Sequence, residues 1–236
     1  MNIKETVVEG PQYRIIPTKF PPINFFERYT PPELMEEAFE IESLTNERLL
    51  NEVGLLHHVA PEDRVSGPGA SAVMAAFTHT GNPSRFTNGS FGIYYAGRSL
   101  ETAIWETIFH RERFFAATKE SPCEIDMRSY NGTIEKPLVD VRSEAFNHLL
   151  DPNPEAYGVA QKFGGDIKSK KHWGILYPSV RHKGGECIAA LRPPAVSLPL
   201  QGAHLSYHWN GSFIDAVYEK TSLKLEFKSN KPQAVI

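Results

Sequence analysis

The chain has 236 residues, which is enough to bury one sizeable core and rather short for two full domains. Hydrophobic residues make up 41%, charged residues 22%, and the formal net charge is −3, so nothing in the composition suggests direct nucleic-acid binding. No stretch approaches the ~18 consecutive apolar residues of a membrane span, and we expect a cytoplasmic protein that does not bind a membrane.

The first part of the chain predicts a strand, an arm and two helical regions. Residues 13–16 favour a strand, and the prolines that follow favour an extended arm. Helix signals then accumulate over residues 31–54, with prolines at the start, early acids and a closing glycine, and a break at 43–46 would divide this helix. Residues 66–81 predict another short helix. We therefore expect a single domain over residues 1–236, with an N-terminal arm and a helical insertion at about 17–84.

The second part predicts strands and helices in irregular order. Ser99 is a candidate N-cap for a helix over residues 100–117. The other predicted elements are strands at 90–97 and 122–130, a loop at 151–158, a helix ending near 171, and two neighbouring strands at 173–180 and 186–193. Because strands and helices do not alternate regularly, the sequence predicts an α+β fold.

Residues 67–72, "GPGASA", match the dinucleotide fingerprint G-x-G-x-x-A. The preceding "HHVAPEDRVS" is too polar for a buried parallel strand, and the acid expected about 20 residues later is missing. We interpret this motif as the start of a helix punctuated by glycines.

Histidines and lysines raise two further possibilities. His204 and His208 have a spacing that suits a metal on a helix, but their neighbours indicate a strand or loop, and no metal is expected. The two cysteines, Cys123 and Cys187, are expected to be free thiols. A group of basic residues favours a solvated surface over an RNA site, and comprises Lys168, Lys170, Lys171, Arg181 and Lys183.

The helix that follows Ser99 has an apolar face and a polar face. The apolar face carries Leu100, Ile104, Ile108 and Phe115, and the other carries Ala103, Glu106, His110 and Arg113. This pattern alone favours Glu106 as an exposed carboxylate that pairs with His110 four residues later. By the same reasoning, Arg85 could be a loop arginine with a structural ion pair, and Tyr95 a half-buried strand aromatic.

Three stretches, in their order, resemble the RES-domain family, which is named for a characteristic Arg, Glu and Ser. They are "YRI" at 13–15, "SRFTNGSFGIYYAGRSLETAIWE" at 84–106, and "YPSVRHKGGECIAALRP" at 177–193. The residues that match the family pattern are Arg85, Phe86, Asn88, Tyr95, Ser99, Leu100, Ala103, Glu106 and Ser179. Phe86 stands where tryptophan is common in small members, and the material between Pro17 and Ser84 exceeds what those members contain.

The resemblance implies an ADP-ribosyltransferase-like mixed sheet with flanking helices, and a reaction that consumes NAD without a metal. Family members are toxins of bacterial toxin–antitoxin pairs, so the resemblance also implies an Xre-type helix-turn-helix antitoxin as partner. It implies that NAD is held by side chains, so a glycine-rich cradle is not needed. The resemblance leaves three functions open for this chain: cleavage of NAD with water or phosphate, ADP-ribosylation of a protein, and non-catalytic binding by the same fold.

The resemblance assigns a role to each candidate residue. Glu106 would lie against the ribose hydroxyls and stabilise positive charge on the sugar. Tyr95 would stack on the cationic nicotinamide ring, and Arg14 and Arg85 would bind the pyrophosphate and the adjoining ribose. Ser179 would orient NAD or Glu106 and would not act as a nucleophile, because no His–Asp partner is evident.

Overall fold

The computed structural model describes residues 3–17, 35 and 55–221. The strands are β1 (Glu5–Thr6), β2 (Pro11–Pro17), β3 (Tyr94–Gly97), β4 (Cys123–Thr133), β5 (Leu138–Asp140), β6 (Gly174–Pro178), β7 (Glu186–Ala190), β8 (Leu200–Trp209) and β9 (Ile214–Lys220). The α-helices of the described part are α1 (Ala70–Thr78), α2 (Leu100–Thr118) and α3 (Gly158–Ser169).

The nine strands form one mixed sheet in the order β1-β5-β6-β7-β3-β2-β4-β8-β9. β5 and β6 run parallel, and the other neighbouring strands run antiparallel. The predicted α+β fold with a mixed sheet and flanking helices is confirmed. The predicted neighbouring strands at 173–180 and 186–193 are β6 and β7, and they pair directly.

Helices cover both faces of the sheet. On one face, α1 packs through Val73, Met74 and Phe77 against alternate strand residues Leu138, Leu176, Ile188 and Ala190. The opposite face is covered by α3 over β5, β6 and β7, and by α2 over β2, β4 and β8. The surface between α2 and α3 is where the sheet borders a cleft of about 310 Å³.

The β2–β3 junction interrupts the sheet. Among the described residues, β2 and β3 pair at Tyr13 and Gly97, whereas β2 pairs with β4 along its whole length. Backbone groups of β3 beyond this pair are therefore available to side chains, and the cleft lies along this junction.

Several predicted boundaries differ from the structure. The strand expected at 90–97 begins at Tyr94, and β4 extends three residues beyond its predicted end. β1, β5 and the β8–β9 hairpin were not predicted. The helix predicted over 31–54 and most of the insertion expected at about 17–84 lie outside the described residues; the described part of that insertion contains two short 3-10 helices, Leu56–His58 and Pro61–Asp63, and α1.

Candidate active site

Glu106 is placed by a tight turn between β3 and α2. Gly97 allows this turn, because a Cβ there would lie 2.6 Å from the backbone nitrogen of Ala103 and 2.9 Å from the carbonyl oxygen of Ser99. Ser99 then caps the helix as predicted, its hydroxyl accepting from the backbone N–H of Thr102 at 3.1 Å. The close packing of this turn fixes the second turn of α2, which carries Glu106, against the ends of β6 and β7.

Ser179 holds the Glu106 carboxylate. Its hydroxyl donates to Glu106 Oε1 at 2.6 Å, and its oxygen accepts from the backbone N–H groups of Arg181 at 3.1 Å and His182 at 2.9 Å. One donor and two acceptor positions complete the hydrogen-bonding capacity of a hydroxyl. Ser179 is therefore a positioning group for the carboxylate. The structure also rejects the pairing of Glu106 with His110 that helix spacing favoured, since the carboxylate contacts the Ser179 hydroxyl and the Cys187 thiol instead.

The loop that carries Ser179 is fastened to α2 and to itself. The backbone N–H of Ser179 donates to the Gly185 carbonyl at 2.8 Å, and that of Gly185 donates to the His182 carbonyl at 2.9 Å. His182 Nδ1 lies 2.9 Å from the hydroxyl of Thr102, in the first turn of α2. These contacts fix the relative positions of Ser179 and Glu106.

Neutral buried groups surround the carboxylate on the sheet side. Cys187 Sγ lies 3.6 Å from Glu106 Oε1, and burial together with the neighbouring carboxylate raises the pKa of this thiol well above its ordinary value. Burial likewise raises the pKa of Tyr177 well above its ordinary value. Glu106 has no ion pair with a described basic residue. No described basic side chain is therefore in direct ion-pair contact with this carboxylate.

Tyr95 presents its ring to the cleft and anchors its hydroxyl. The hydroxyl lies 2.9 Å from Ser84 Oγ and accepts from the backbone N–H of Phe86 at 3.1 Å. Burial of this end of the side chain raises the pKa of Tyr95 to about 12, so the hydroxyl stays protonated. The ring is one wall of the cleft that contains Glu106.

Arg85 is buried and its guanidinium is largely used by the protein itself. Nη1 donates to the carbonyl oxygens of Leu149 at 3.2 Å and Asp151 at 2.9 Å, and Nη2 donates to the hydroxyl of Tyr157 at 3.1 Å. Its Cζ lies 4.4 Å from the centroid of the Tyr157 ring. Arg85 therefore ties the loop before β3 to the segment before α3, while it also lines the cleft.

Arg14 lies at the point where β2 and β3 stop pairing. Nη1 donates to the Tyr95 carbonyl at 3.1 Å, and Cζ lies 4.6 Å from the Tyr94 ring centroid. Its Nε is buried without a hydrogen-bond partner among the described residues, and burial lowers the pKa of the guanidinium. A buried, unsatisfied donor beside a cleft marks a position where a ligand oxygen would be stabilised.

The cleft brings the predicted residues together. It has a volume of about 310 Å³ and is lined by residues of β2, β3, β4, α2, β6 and β7 and of the loops before β3 and α3, including Arg14, Arg85, Tyr95 and Glu106. Ser179 reaches it through its bond to Glu106. This volume is at the small end of the ~300–1,000 Å³ typical of ligand sites. Four of the five predicted side chains line the cleft, and the fifth orients one of them.

Sequence reasoning missed two cationic or titratable groups of this cleft. His110 and Arg111 line it one turn beyond Glu106 on α2. The pKa of His110 is lowered to about 4. The largest cause is desolvation by the surrounding protein, and the smaller causes are the positive charges of Arg111, Arg181, Arg113 and Arg85. The four-residue spacing from Glu106 was visible in the sequence, but it was interpreted as an ion pair.

The other motifs have structural explanations. Gly69, with a φ of 92°, is the N-cap of α1, so "GPGASA" starts a helix as interpreted. His204 and His208 lie on β8, and within the described part of the chain no cluster of three or more potential metal ligands occurs. The basic group is divided: Lys168 donates to the Leu191 carbonyl, whereas Arg181 packs on Phe109 at the cleft. Cys123 and Cys187 are free thiols, as expected.

In the described ranges, no helix has the length and apolar character needed to cross a bilayer.

The structure is that of an α+β protein whose mixed sheet carries a carboxylate, a serine and arginines at one cleft. Comparison with known proteins gives the family. Residues 61–210, more than half of the chain, match the model of the RES domain. This protein belongs to the RES domain family. Arg85, Tyr95, Glu106 and Ser179 lie inside the matched region, whereas Arg14 precedes it.

Two individual proteins are similar over long stretches. The uncharacterized protein y4oC of Sinorhizobium fredii is 29% identical over 216 residues, which cover 91% of this chain and 89% of that protein. A chain in the crystal structure of the M. tuberculosis MbcT–MbcA toxin–antitoxin complex superposes with a TM-score of 0.36 and 13% identity, covering 54% of this chain and 72% of that chain.

Proposed function

We propose that this protein is a toxin of a bacterial toxin–antitoxin pair that cleaves the bond between nicotinamide and ribose in NAD. The observation that carries the proposal is the Glu106 carboxylate, which Ser179 orients and which forms no ion pair with a described cation, inside a cleft lined by arginines and aromatic rings. Membership of the RES domain family supports the same reaction.

Cleavage of NAD calls for negative charge at the ribose. The C–N bond breaks, its electron pair passes to the pyridinium nitrogen, and nicotinamide leaves as a neutral molecule while positive charge develops on the sugar. A fixed carboxylate binds that charge more strongly than the neutral ribose of the ground state, so its effect appears in the transition state. Glu106 suits this role because no described arginine forms an ion pair with it. A direct ion pair with arginine would offset the negative charge that the sugar requires.

The remaining residues suit binding and orientation. The Tyr95 ring stacks on the nicotinamide cation before cleavage, and its anchored hydroxyl keeps the ring in place. Arg14, with its buried Nε lacking a described partner, binds a phosphate oxygen. Arg85 contributes positive charge and holds the cleft's wall, and its direct use of Nη1 and Nη2 by protein oxygens makes it a weaker phosphate clamp than expected from sequence.

The acceptor completes the reaction at the anomeric carbon of the nicotinamide ribose, which is C1″ in ADP-ribose. Water or inorganic phosphate forms the new C–O bond on the sugar and loses a proton to solvent, giving ADP-ribose or its 1″-phosphate. In the cell, an Xre-type helix-turn-helix antitoxin is the partner proposed for this chain, on the basis of its family. Expression in a bacterium should then arrest growth, and the arrest should disappear with Glu106→Gln.

The test of the reaction is product analysis. The purified protein is incubated with NAD in water, with phosphate, and with a cell extract, and nicotinamide and the ADP-ribose products are separated by chromatography. The proposal expects nicotinamide release that Glu106→Gln loses and that Glu144→Gln retains, because Glu144 is exposed and lies outside the cleft. If NAD labelled in its ADP-ribose part transferred that label to a protein of the extract, the acceptor would be a protein side chain. No nicotinamide under any of the three conditions would overturn the proposal.

A further inference from the structure

We propose that His110 is a phosphate-recognition residue of the cleft, and that it takes up a proton from solvent when the phosphate-bearing part of the substrate binds. This inference rests on the proposed function for the identity of the substrate. It extends that function by adding a residue and a linkage between pH and substrate affinity.

The position of His110 relative to Glu106 supports this role. Both side chains line the cleft from the same face of α2, and four residues of α-helix separate them by ~6 Å along the axis. In a dinucleotide, the 5′ carbon and an ester oxygen separate each ribose from its phosphorus. A substrate whose ribose lies at Glu106 can therefore place its pyrophosphate beside the next turn of the helix.

The imidazole of His110 is available for a ligand. The residue lines the cleft and keeps solvent-accessible surface, although enough protein surrounds its imidazole to lower the pKa, and no hydrogen bond joins it to another described residue. Its ring makes an edge-to-face contact with Phe109, with centroids 5.4 Å apart. An imidazole that the described protein does not use faces the same cleft as the carboxylate.

The charged surroundings of His110 favour an anion. The charged and titratable groups that surround it are Arg111 and Arg113 on α2, Arg181 after β6, Arg85 and Tyr95 around the start of β3, Arg14 on β2, Tyr157 before α3, and Glu106. Arginines outnumber the carboxylate, and none of the described ion pairs neutralises Arg111, Arg181 or Arg85. A pyrophosphate would find both direct partners and a positive field in this cleft.

Because of the same surroundings, the protonation of His110 depends on whether a phosphate is bound. In the protein by itself, desolvation and the arginines hold the pKa of His110 at about 4, so the ring is neutral near pH 7. A bound phosphate adds negative charge within contact distance, which raises the pKa of a neighbouring imidazole. The proton comes from solvent, and the imidazolium then donates to a phosphate oxygen. Substrate binding should therefore strengthen as the pH falls from about 7 towards 5.

The test is calorimetry with ADP-ribose, which carries the pyrophosphate and does not react at the nicotinamide bond. Binding is measured at about pH 6 in buffers of different ionisation enthalpy, so the slope gives the number of protons taken up per molecule bound. We expect about half a proton or more for the wild type. His110→Gln should take up none and should bind about tenfold more weakly, the loss of one hydrogen bond to a charged group.

Two controls make the result specific. His148→Gln removes an exposed histidine outside the cleft and should match the wild type in proton uptake and affinity. His110→Asn tests whether a second neutral side chain gives the same loss, and thermal unfolding of each variant reports whether it is folded. No proton uptake by the wild type, equal uptake by His110→Gln, or absence of ADP-ribose binding at millimolar concentration would overturn the inference.

The two proposals fail in different ways. Proton-linked binding of ADP-ribose without nicotinamide release from NAD would leave the role of His110 in place and remove the proposed reaction. Nicotinamide release without proton uptake would do the reverse.

Discussion

The hydroxyl of Ser179 donates a 2.6 Å hydrogen bond to Glu106, although the two residues are 73 positions apart in the sequence. The serine belongs to the loop between β6 and β7, and the glutamate to α2. The two backbone N–H groups that reach the serine oxygen fix the direction of its hydrogen. One orientation of the carboxylate is thereby selected before a substrate arrives, which is the basis of electrostatic preorganisation.

Ser179→Ala tests this arrangement. Loss of the donor frees the carboxylate to rotate, and a misplacement on the order of 1 Å costs about 100-fold in turnover. The substitution also leaves two backbone N–H groups without their acceptor, which should lower the free energy of unfolding by about 1–3 kcal/mol. Steady-state kinetics of nicotinamide release and urea unfolding measure the two effects.

Ser169→Ala is the matched control for this prediction. Ser169 is an exposed serine at the end of α3, and its hydroxyl donates to the Asp166 carbonyl at 2.8 Å. It should leave turnover unchanged. If Ser179→Ala also kept the turnover number of the wild type, the positioning role of Ser179 would be wrong.

Arg85→Gln should destabilise the fold far more than a surface arginine substitution. Arg85 is 7% exposed and donates to the Leu149 and Asp151 carbonyls, so its loss should cost about 2–4 kcal/mol in the free energy of unfolding. Arg142→Gln removes an exposed arginine that pairs with Asp140 and Glu186, and should cost less than about 1 kcal/mol. Chemical denaturation compares them. Equal losses for the two variants would argue against a structural role for Arg85.

Neighbouring glycines of α3 provide an internal comparison. A Cβ at Gly164 would lie 2.0 Å from the carbonyl oxygen of Phe86, whereas a Cβ at Gly165 would meet nothing within 4 Å. Gly164→Ala should push α3 from the loop that carries Arg85 and lower stability by about 1–3 kcal/mol. Gly165→Ala should raise stability by roughly 0.5–1 kcal/mol, because alanine restricts the unfolded chain and favours a helix. Thermal unfolding of the two variants measures these effects. A raised melting temperature for both alanine variants would contradict this packing.

The depressed pKa of His110 predicts a pH dependence of stability. An ordinary histidine in the unfolded chain has a pKa of about 6.5, whereas that of His110 in the folded protein is about 4. Between these values the unfolded state binds more protons, so the contribution of His110 to stability falls as the pH drops and is unchanged above about pH 7. His110→Gln should lose less stability between pH 7 and pH 4.5 than the wild type. Urea unfolding at the two pH values measures this loss, and His148→Gln is expected to lose as much stability as the wild type. An equal loss of stability for His110→Gln and the wild type would contradict the prediction.

Local signals predicted the elements whose cause is local. The Ser99 cap and the helix behind it were predicted within one residue, because capping and propensity act over a single turn. β1 and β5 were missed, since these short strands are stabilised by partners far away in sequence. The β8–β9 hairpin was also missed, although its two strands are sequence neighbours; β8 pairs on its other side with β4, which is far away in sequence.

The site was less accessible to sequence physics than to family resemblance. Helix periodicity presented Glu106 as a surface residue that pairs with His110, and the Ser179 contact that replaces this pair depends on how two distant segments pack. The commitment of Arg85 to carbonyls of residues 149 and 151 is also long-range. No pattern within a few residues of Arg85 carries that information.

The role of Glu106 is tested most directly by comparing Glu106→Gln with the wild type in two measurements on the same preparations, the dissociation constant for NAD and the turnover number for nicotinamide release. We expect the dissociation constant to change by less than about threefold and the turnover number to fall by about 100- to 1,000-fold, because the carboxylate acts on charge that develops only in the transition state. Equal turnover numbers for the two proteins would contradict this role of Glu106.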